Sequence, residues 1–311
     1  MPELPEVETI RRGLEGRLID RSILEIDILA PKLFEGKSEY ILSVPLLRID
    51  RQGKLLVMYF EGGYVLTIHL KMTGQLLWKP GPKPEVEEEI IDNATASFES
   101  DDDEEDDDDS IMGGHPEKSY LDPLPHKHTH VIIRFDDGST LYFNDLRKFG
   151  RMKVLSMEEL EGVTFLQTLG PEPFSPEFSA PYLDERLKKR PKQPIKSFLL
   201  DQTNIAGLGN IYADESLFRA SILPDRITGS LTEGEIANLY NAIEETVGLA
   251  LQYGGSSSRD YVNAVGEKGT FLKIANVYHR QGEDCNRCDT GVIVRKKIGG
   301  RSSHYCPVCQ Y

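Results

Sequence analysis

No stretch of this 311-residue chain is apolar for a membrane-spanning length, and no secretory leader is legible at its start. A cytoplasmic location is expected. Cysteine is absent from the first 284 residues, and all four cysteines lie within the last 27. That excludes a disulfide framework spread through the fold and favours a metal site. Lysine and arginine are absent from residues 85–109, which hold 15 Asp and Glu. The net charge of −15 argues at first against a polyanionic partner. Yet that run carries all of it, because the rest of the chain sets 36 acidic residues against 36 Lys and Arg. A basic face on the folded part is therefore allowed. The length has room for two domains, and 39% apolar residues can fill their cores.

The first residues, Met1-Pro2-Glu3-Leu4-Pro5-Glu6, admit two readings. One is a plain helix start: Pro5 suits the first turn, acidic Glu6 and Glu8 oppose the positive dipole end, and Val7, Ile10, Leu14 and Leu18 recur at helical spacing. The other is chemical. Removal of Met1 leaves Pro2 with a free secondary amine whose pKa near 8 keeps a useful fraction unprotonated. Such an amine attacks carbonyl-like carbons and forms Schiff bases. Glu3 and Glu6 stand beside it and can carry protons.

Further along, Leu24, Ile26 and Ile28 alternate with Glu25 and Asp27, which predicts a half-buried strand. Strand-like runs follow at 46–51, 54–60, 64–70 and 74–78, with Gly62-Gly63 as a tight turn. Residues 131–135 and 141–143 flank Asp137-Gly138 as a second hairpin. Short strands without intervening helices predict an antiparallel sandwich. Residues 80–119 interrupt it. Their core, SDDDEEDDDDS, repels itself and is expected to be disordered, either as a solvated insertion or as a mimic of a phosphate backbone.

From about residue 157 the pattern turns helical. Thr232 and Glu235 form a capping box ahead of the stripe Ile236, Leu239, Ile243, Val247 and Leu251. Before it, Ile195, Phe198 and Leu199 suit a short helix, and Gly207 and Gly209 allow a tight turn into a second one at Asn210. Backbone N–H groups there would suit a phosphate. At the C-terminus, Cys285-x-x-Cys288 and Cys306-x-x-Cys309 can close four thiolates around one structural Zn²⁺. Two strands, 292–297 and 303–306, would carry Gly299-Gly300-Arg301 at their tip.

The string PELPEVETIRRGL resembles the N-terminus of the formamidopyrimidine-DNA glycosylase family, and IKSFLLDQTNIAGLGNIYADESLF resembles its helix–two-turn–helix element. The likeness extends over both ends and most of the middle. It implies an α+β multidomain fold. An N-terminal antiparallel β-sandwich with the first helix would span 1–156. A helical DNA-binding domain would span 157–273, and a zinc-bound β-hairpin 274–311. The implied activity is excision of oxidised purines such as 8-oxoguanine from double-stranded DNA, followed by β,δ-elimination at the abasic site.

By the resemblance, Pro2 attacks C1′, Glu3 is the general acid–base group and Glu6 orients the amine-bearing end. Lys54 assists β-elimination, and Arg301 clamps phosphate. Met72 with Arg147 and Phe149 matches the wedge that fills the gap left by a flipped base. Read without it, Met72 and Phe149 are core residues. His69, His128, Lys192, Lys196 and Asn210 are expected near phosphates, and a loop at 254–273 is expected to cap the flipped base. A monomer is implied. Family members commonly carry arginine where this chain has Lys148, which loses a bidentate fork. An endonuclease VIII-like enzyme for oxidised pyrimidines shares the fold and the Pro2–Glu3 chemistry. PELPEVE rather than PEGPE favours the purine branch. A catalytically silent zinc-bearing DNA-binding protein and a protein-binding zinc hairpin remain alternatives of another class.

Overall fold

The computed structural model describes residues 1–82, the backbone of 111–114, and residues 123–256 and 270–311. The acidic run at 85–109 and most of the expected capping loop lie outside the described residues.

Helix α1, Leu4–Leu18, joins the two halves of the molecule. Its first turn has a reciprocal capping box between Glu3 and Glu6. Leu4 is packed into the core of the helical half, whereas Val7, Ile10, Leu14 and Leu18 are packed into the core of the sandwich. One helix with apolar side chains in both cores ties the position of its own N-terminus to both domains.

The sandwich has two five-stranded sheets. One runs β1 (Ile23–Ile28), β8 (Thr129–Phe135), β9 (Thr140–Asp145), β6 (Gly74–Lys79) and β7 (Ile111–Gly114). The other runs β2 (Phe34–Glu35), β10 (Arg151–Ser156), β5 (Tyr64–His69), β4 (Leu55–Phe60) and β3 (Leu46–Gln52). The pairings between these strands are antiparallel except β10 with β2. Gly62, Gly63 and Gly138 take positive φ, as their turns require.

Two expectations change. Leu24 is exposed and Ile23 is the buried residue of β1, because a register shift between Ile23 and Glu25 moves the apolar face by one position. Four residues assigned to the disordered insertion, 111–114, instead form the edge strand β7. It pairs with Gln75–Trp78 and satisfies backbone groups that β6 would otherwise leave open.

After the sandwich come α2 (Met157–Glu161), α3 (Thr164–Gln167) and α4 (Ala180–Lys188), then α5 (Ile195–Leu199), α6 (Asn210–Arg219) and α7 (Glu233–Gln252), whose Thr232–Glu235 capping box is formed. Strands β11 (Val294–Ile298) and β12 (Arg301–Tyr305) make the terminal hairpin. Its small core is Phe218, Val277 and Ile293 with buried Cys285 and Cys306.

Candidate active site

The N-terminus docks on the turn before α6. The N–H of Leu4 donates to the Gly207 carbonyl at 3.0 Å. Gly207 has φ +85°, and a Cβ there would meet the Leu4 side chain at 2.6 Å. A Cβ on Gly209 would lie 2.2 Å from the Glu3 carboxyl carbon. Both glycines make room for the first residues of the chain. The expectation of a phosphate on these N–H groups changes accordingly: the Ile211 N–H at the start of α6 donates to Glu3 Oε1 at 3.1 Å. A carboxylate of the chain itself occupies the positive helix end.

Glu3 and Lys54 are both buried, at 2% and 6% exposure, yet both line a cavity of about 490 Å³ between the sandwich and the hairpin. Lys54 Nζ donates to the Leu208 carbonyl at 2.8 Å. Burial raises the Glu3 carboxyl to about 7, with Lys54 opposing the shift and Glu6 adding to it. Glu3 Oε2 has no hydrogen-bond partner among the described residues. Burial holds Lys54 below the usual lysine range, although Glu3 and Glu6 pull it back. Pro2 is buried behind Met1, which lines the cavity.

Glu6 lies beneath. Its Oε2 accepts the Glu3 N–H at 2.8 Å, and its Oε1 accepts from the Tyr212 hydroxyl and from the Ser256 N–H and hydroxyl. Glu6 therefore fixes the backbone of the first residues against α6 and the end of α7. Tyr212 was not legible as a site residue. Its place in the first turn of α6 after Asn210 was the available signal.

A Glu3 carboxyl shifted upward makes the fold sensitive to pH. The folded value lies above the ordinary 4.5, so folding favours the protonated form. Stability from this group is complete below about 4.5 and is lost as pH rises to about 7. We expect Glu3→Gln to be more stable than the parent at pH 8 by about 1–3 kcal/mol, and equal to it near pH 4. Urea denaturation at both pH values checks this; a pH-independent difference would contradict the assigned shift.

Arg301 and Asn210 line the same cavity, as does Met72. Arg301 is exposed at the start of β12. Met72, Arg147 and Phe149 are partly exposed together rather than packed in the core. Arg147 Nη1 lies 3.3 Å from Met72 Sδ, and its guanidinium stacks 4.6 Å from the Phe149 ring. Buried Asp145 holds this loop by accepting from Thr73 and from the N–H groups of Arg147 and Gly150. His69 ends β5. Its Nδ1 accepts the Lys71 N–H at 3.1 Å, and burial beside Lys71 and Lys54 pushes its pKa down to about 3. It is a neutral ring with its hydrogen on Nε2. His128 is half-buried before β8, and Lys192 is exposed beside Arg190; neither lines the cavity.

Lys196 requires a correction. The sequence reading put it near a phosphate, but its side chain is wholly buried and paired with Asp214. Nζ also donates to the Ser302 carbonyl at 3.0 Å, and Asp214 Oδ2 accepts the His304 N–H at 3.0 Å. A phosphate would have to displace a buried ion pair. Lys196 instead fastens α5 and α6 to the strand that carries Arg301. Lys196→Met is expected to lower stability by about 3–5 kcal/mol, because it leaves the Asp214 charge buried with a lost partner. A urea midpoint equal to the parent's would contradict this role.

The four cysteine sulfurs lie within 4.8 Å of one another. Cys285 and Cys309 are 3.7 Å apart, as are Cys288 and Cys306. A zinc tetrahedron with Zn–S bonds of about 2.3 Å has edges of about 3.8 Å, so the donor set fits a closed Cys₄ site. A Cβ on Gly291 would strike Cys306 Sγ at 2.4 Å, and Arg287 donates to Cys309 Sγ.

Residues 1–152 match the family model of the formamidopyrimidine-DNA glycosylase N-terminal domain, and residues 169–262 match that of its H2TH domain. Formamidopyrimidine-DNA glycosylases from Pelotomaculum thermopropionicum and Desulfitobacterium hafniense are 37% and 39% identical, each over the whole of this chain and at least 99% of the relative. Among solved structures, the complex of a Lactococcus lactis FPG mutant with a Fapy-dG containing DNA matches with a TM-score of 0.80 at 32% identity. It covers 99% of both chains. The complex of Lactococcus lactis Fpg with an abasic site containing DNA matches at 0.79, with the same identity and coverage. These matches define the class as DNA glycosylase. The chain belongs to the formamidopyrimidine-DNA glycosylase family.

Proposed function

We propose that this protein excises oxidised purines from duplex DNA and then cleaves the abasic strand by β,δ-elimination. The observation that carries the reading is Glu3: a buried carboxyl shifted to about 7, one oxygen unengaged, lining a cavity beside Pro2 and Lys54. Once Met1 is removed, the Pro2 nitrogen attacks C1′ of a flipped nucleotide and the C1′–N bond to the base breaks. Glu3, half-protonated near neutrality, gives a proton as the sugar ring opens. The imine acidifies the adjacent sugar carbon, so proton loss there expels the 3′ phosphate and a second elimination expels the 5′ phosphate. Lys54 moves protons in the first elimination, and Arg301 holds a phosphate.

Met72, Arg147 and Phe149 act as the wedge. His69 donates Nε2–H to the strand, and Asn210 and His128 are further contacts. The cysteine cluster holds one Zn²⁺, whose role is to fold the hairpin. The protein acts as a monomer in the cytoplasm. The test is incision of duplexes carrying 8-oxoguanine, formamidopyrimidine or an oxidised pyrimidine, each opposite cytosine. Preference for the pyrimidine would assign the chain the endonuclease VIII-like activity instead.

A further inference from the structure

Tyr278, His279, Gln281 and Arg295 line the cavity without a task in the sequence reading or the reaction, and His279 stands out among them by its backbone. Its backbone is in the left-handed region, with φ +62°. A residue with a Cβ is held there only when its surroundings impose it, and such positions cluster at binding sites. The side chain is exposed, yet its orientation is fixed. The ring stacks on His304 with centroids 5.7 Å apart and meets Tyr278 edge-on at 4.5 Å. Among the described residues, no hydrogen bond engages either ring nitrogen. The ring lines the same cavity as Asn210, Arg295 and Arg301. It also borders a second concavity lined by Lys273 and by the Arg280–Glu283 ion pair, so it stands on the ridge between two hollows. Burial, with His304 and Arg295 beside it, holds its pKa below the ordinary histidine value. The ring offers an N–H in either protonation state.

A strained residue whose ring is oriented by two stacks and whose donor is unspent is built to meet a ligand acceptor. We propose that His279 binds DNA by donating a ring N–H to a backbone phosphate where the strand leaves the cavity. This rests on the DNA-repair reading above and adds a contact to it.

The test compares the parent with His279→Gly on an uncleavable duplex carrying a tetrahydrofuran abasic analogue, at fixed salt. Glycine adopts the left-handed conformation without strain, so the variant should melt at the same temperature as the parent or higher. Loss of a hydrogen bond to a charged oxygen should weaken binding about tenfold. Equal affinity of parent and variant would overturn the phosphate contact and leave the repair reading intact. A lower melting temperature together with weaker binding would make the ring structural and also overturn it. Failure of the parent itself to bind the duplex would instead overturn the repair reading.

Discussion

A chain that keeps Met1 is expected to lose imine trapping on abasic DNA and nearly all base release. With Met1 attached, the Pro2 nitrogen is a tertiary amide with no basic lone pair, so it can form no Schiff base. Pro2→Gln places a large side chain at position 2, retains the methionine and removes the amine in one step. We expect the trapped adduct to fall by roughly 1,000-fold or more, the scale seen when a nucleophile is lost while binding groups stay in place. Duplex affinity should hold within a few-fold, because Lys54, Arg301 and the Met72–Arg147–Phe149 group are unchanged. Parental trapping from protein shown by mass to carry Met1 would remove Pro2 from the mechanism.

Cys306→Ser should remove zinc and DNA binding together. The apolar cluster around the cysteines is small, with Phe218, Val277 and Ile293 as its other buried members. Structural zinc supplies about 10–16 kcal/mol of apparent binding energy to sites of this kind, far more than that core provides. Without it, the Lys196 and Asp214 contacts to β12 have no folded hairpin to hold, and Arg301 leaves the cavity. We expect less than about a tenth of the parental zinc and at least a ~100-fold loss of duplex affinity. Arg301→Ala should keep its zinc and weaken affinity about tenfold, since only a phosphate contact is gone. Metal analysis and duplex titration on the same samples separate the two. A parent protein without zinc would defeat both statements.

Much of this was legible because local chemistry and tertiary placement agreed. The four cysteines could be read together from spacing alone, and the sulfurs do converge. The stripe Val7–Ile10–Leu14–Leu18 is the buried face of α1, as its period required. Gly207 and Gly209 were legible as a turn, but what they make room for was not. The Leu4 and Glu3 side chains that fill that space lie more than 200 residues away in sequence, and periodicity carries no such information. Lys196 was misread for the same reason. Nothing local to IKSFLL reveals that Asp214 and the Ser302 carbonyl will surround its ammonium. Leu24 was misplaced by a bulge, which a strict alternation cannot anticipate. Met72 and Phe149 show the opposite failure. Composition alone would bury them, yet they stand partly exposed beside Arg147, and only the resemblance had pointed there.

The central claim is that the N-terminal proline, and not a lysine, carries the covalent bond to DNA. Borohydride reduction of the protein on an abasic duplex, followed by nuclease and trypsin digestion and peptide mass analysis, addresses it directly. The account predicts a deoxyribose-derived mass increment on the peptide from Pro2 to Arg11. An adduct on the peptide containing Lys54, with the Pro2 peptide unmodified, would contradict it.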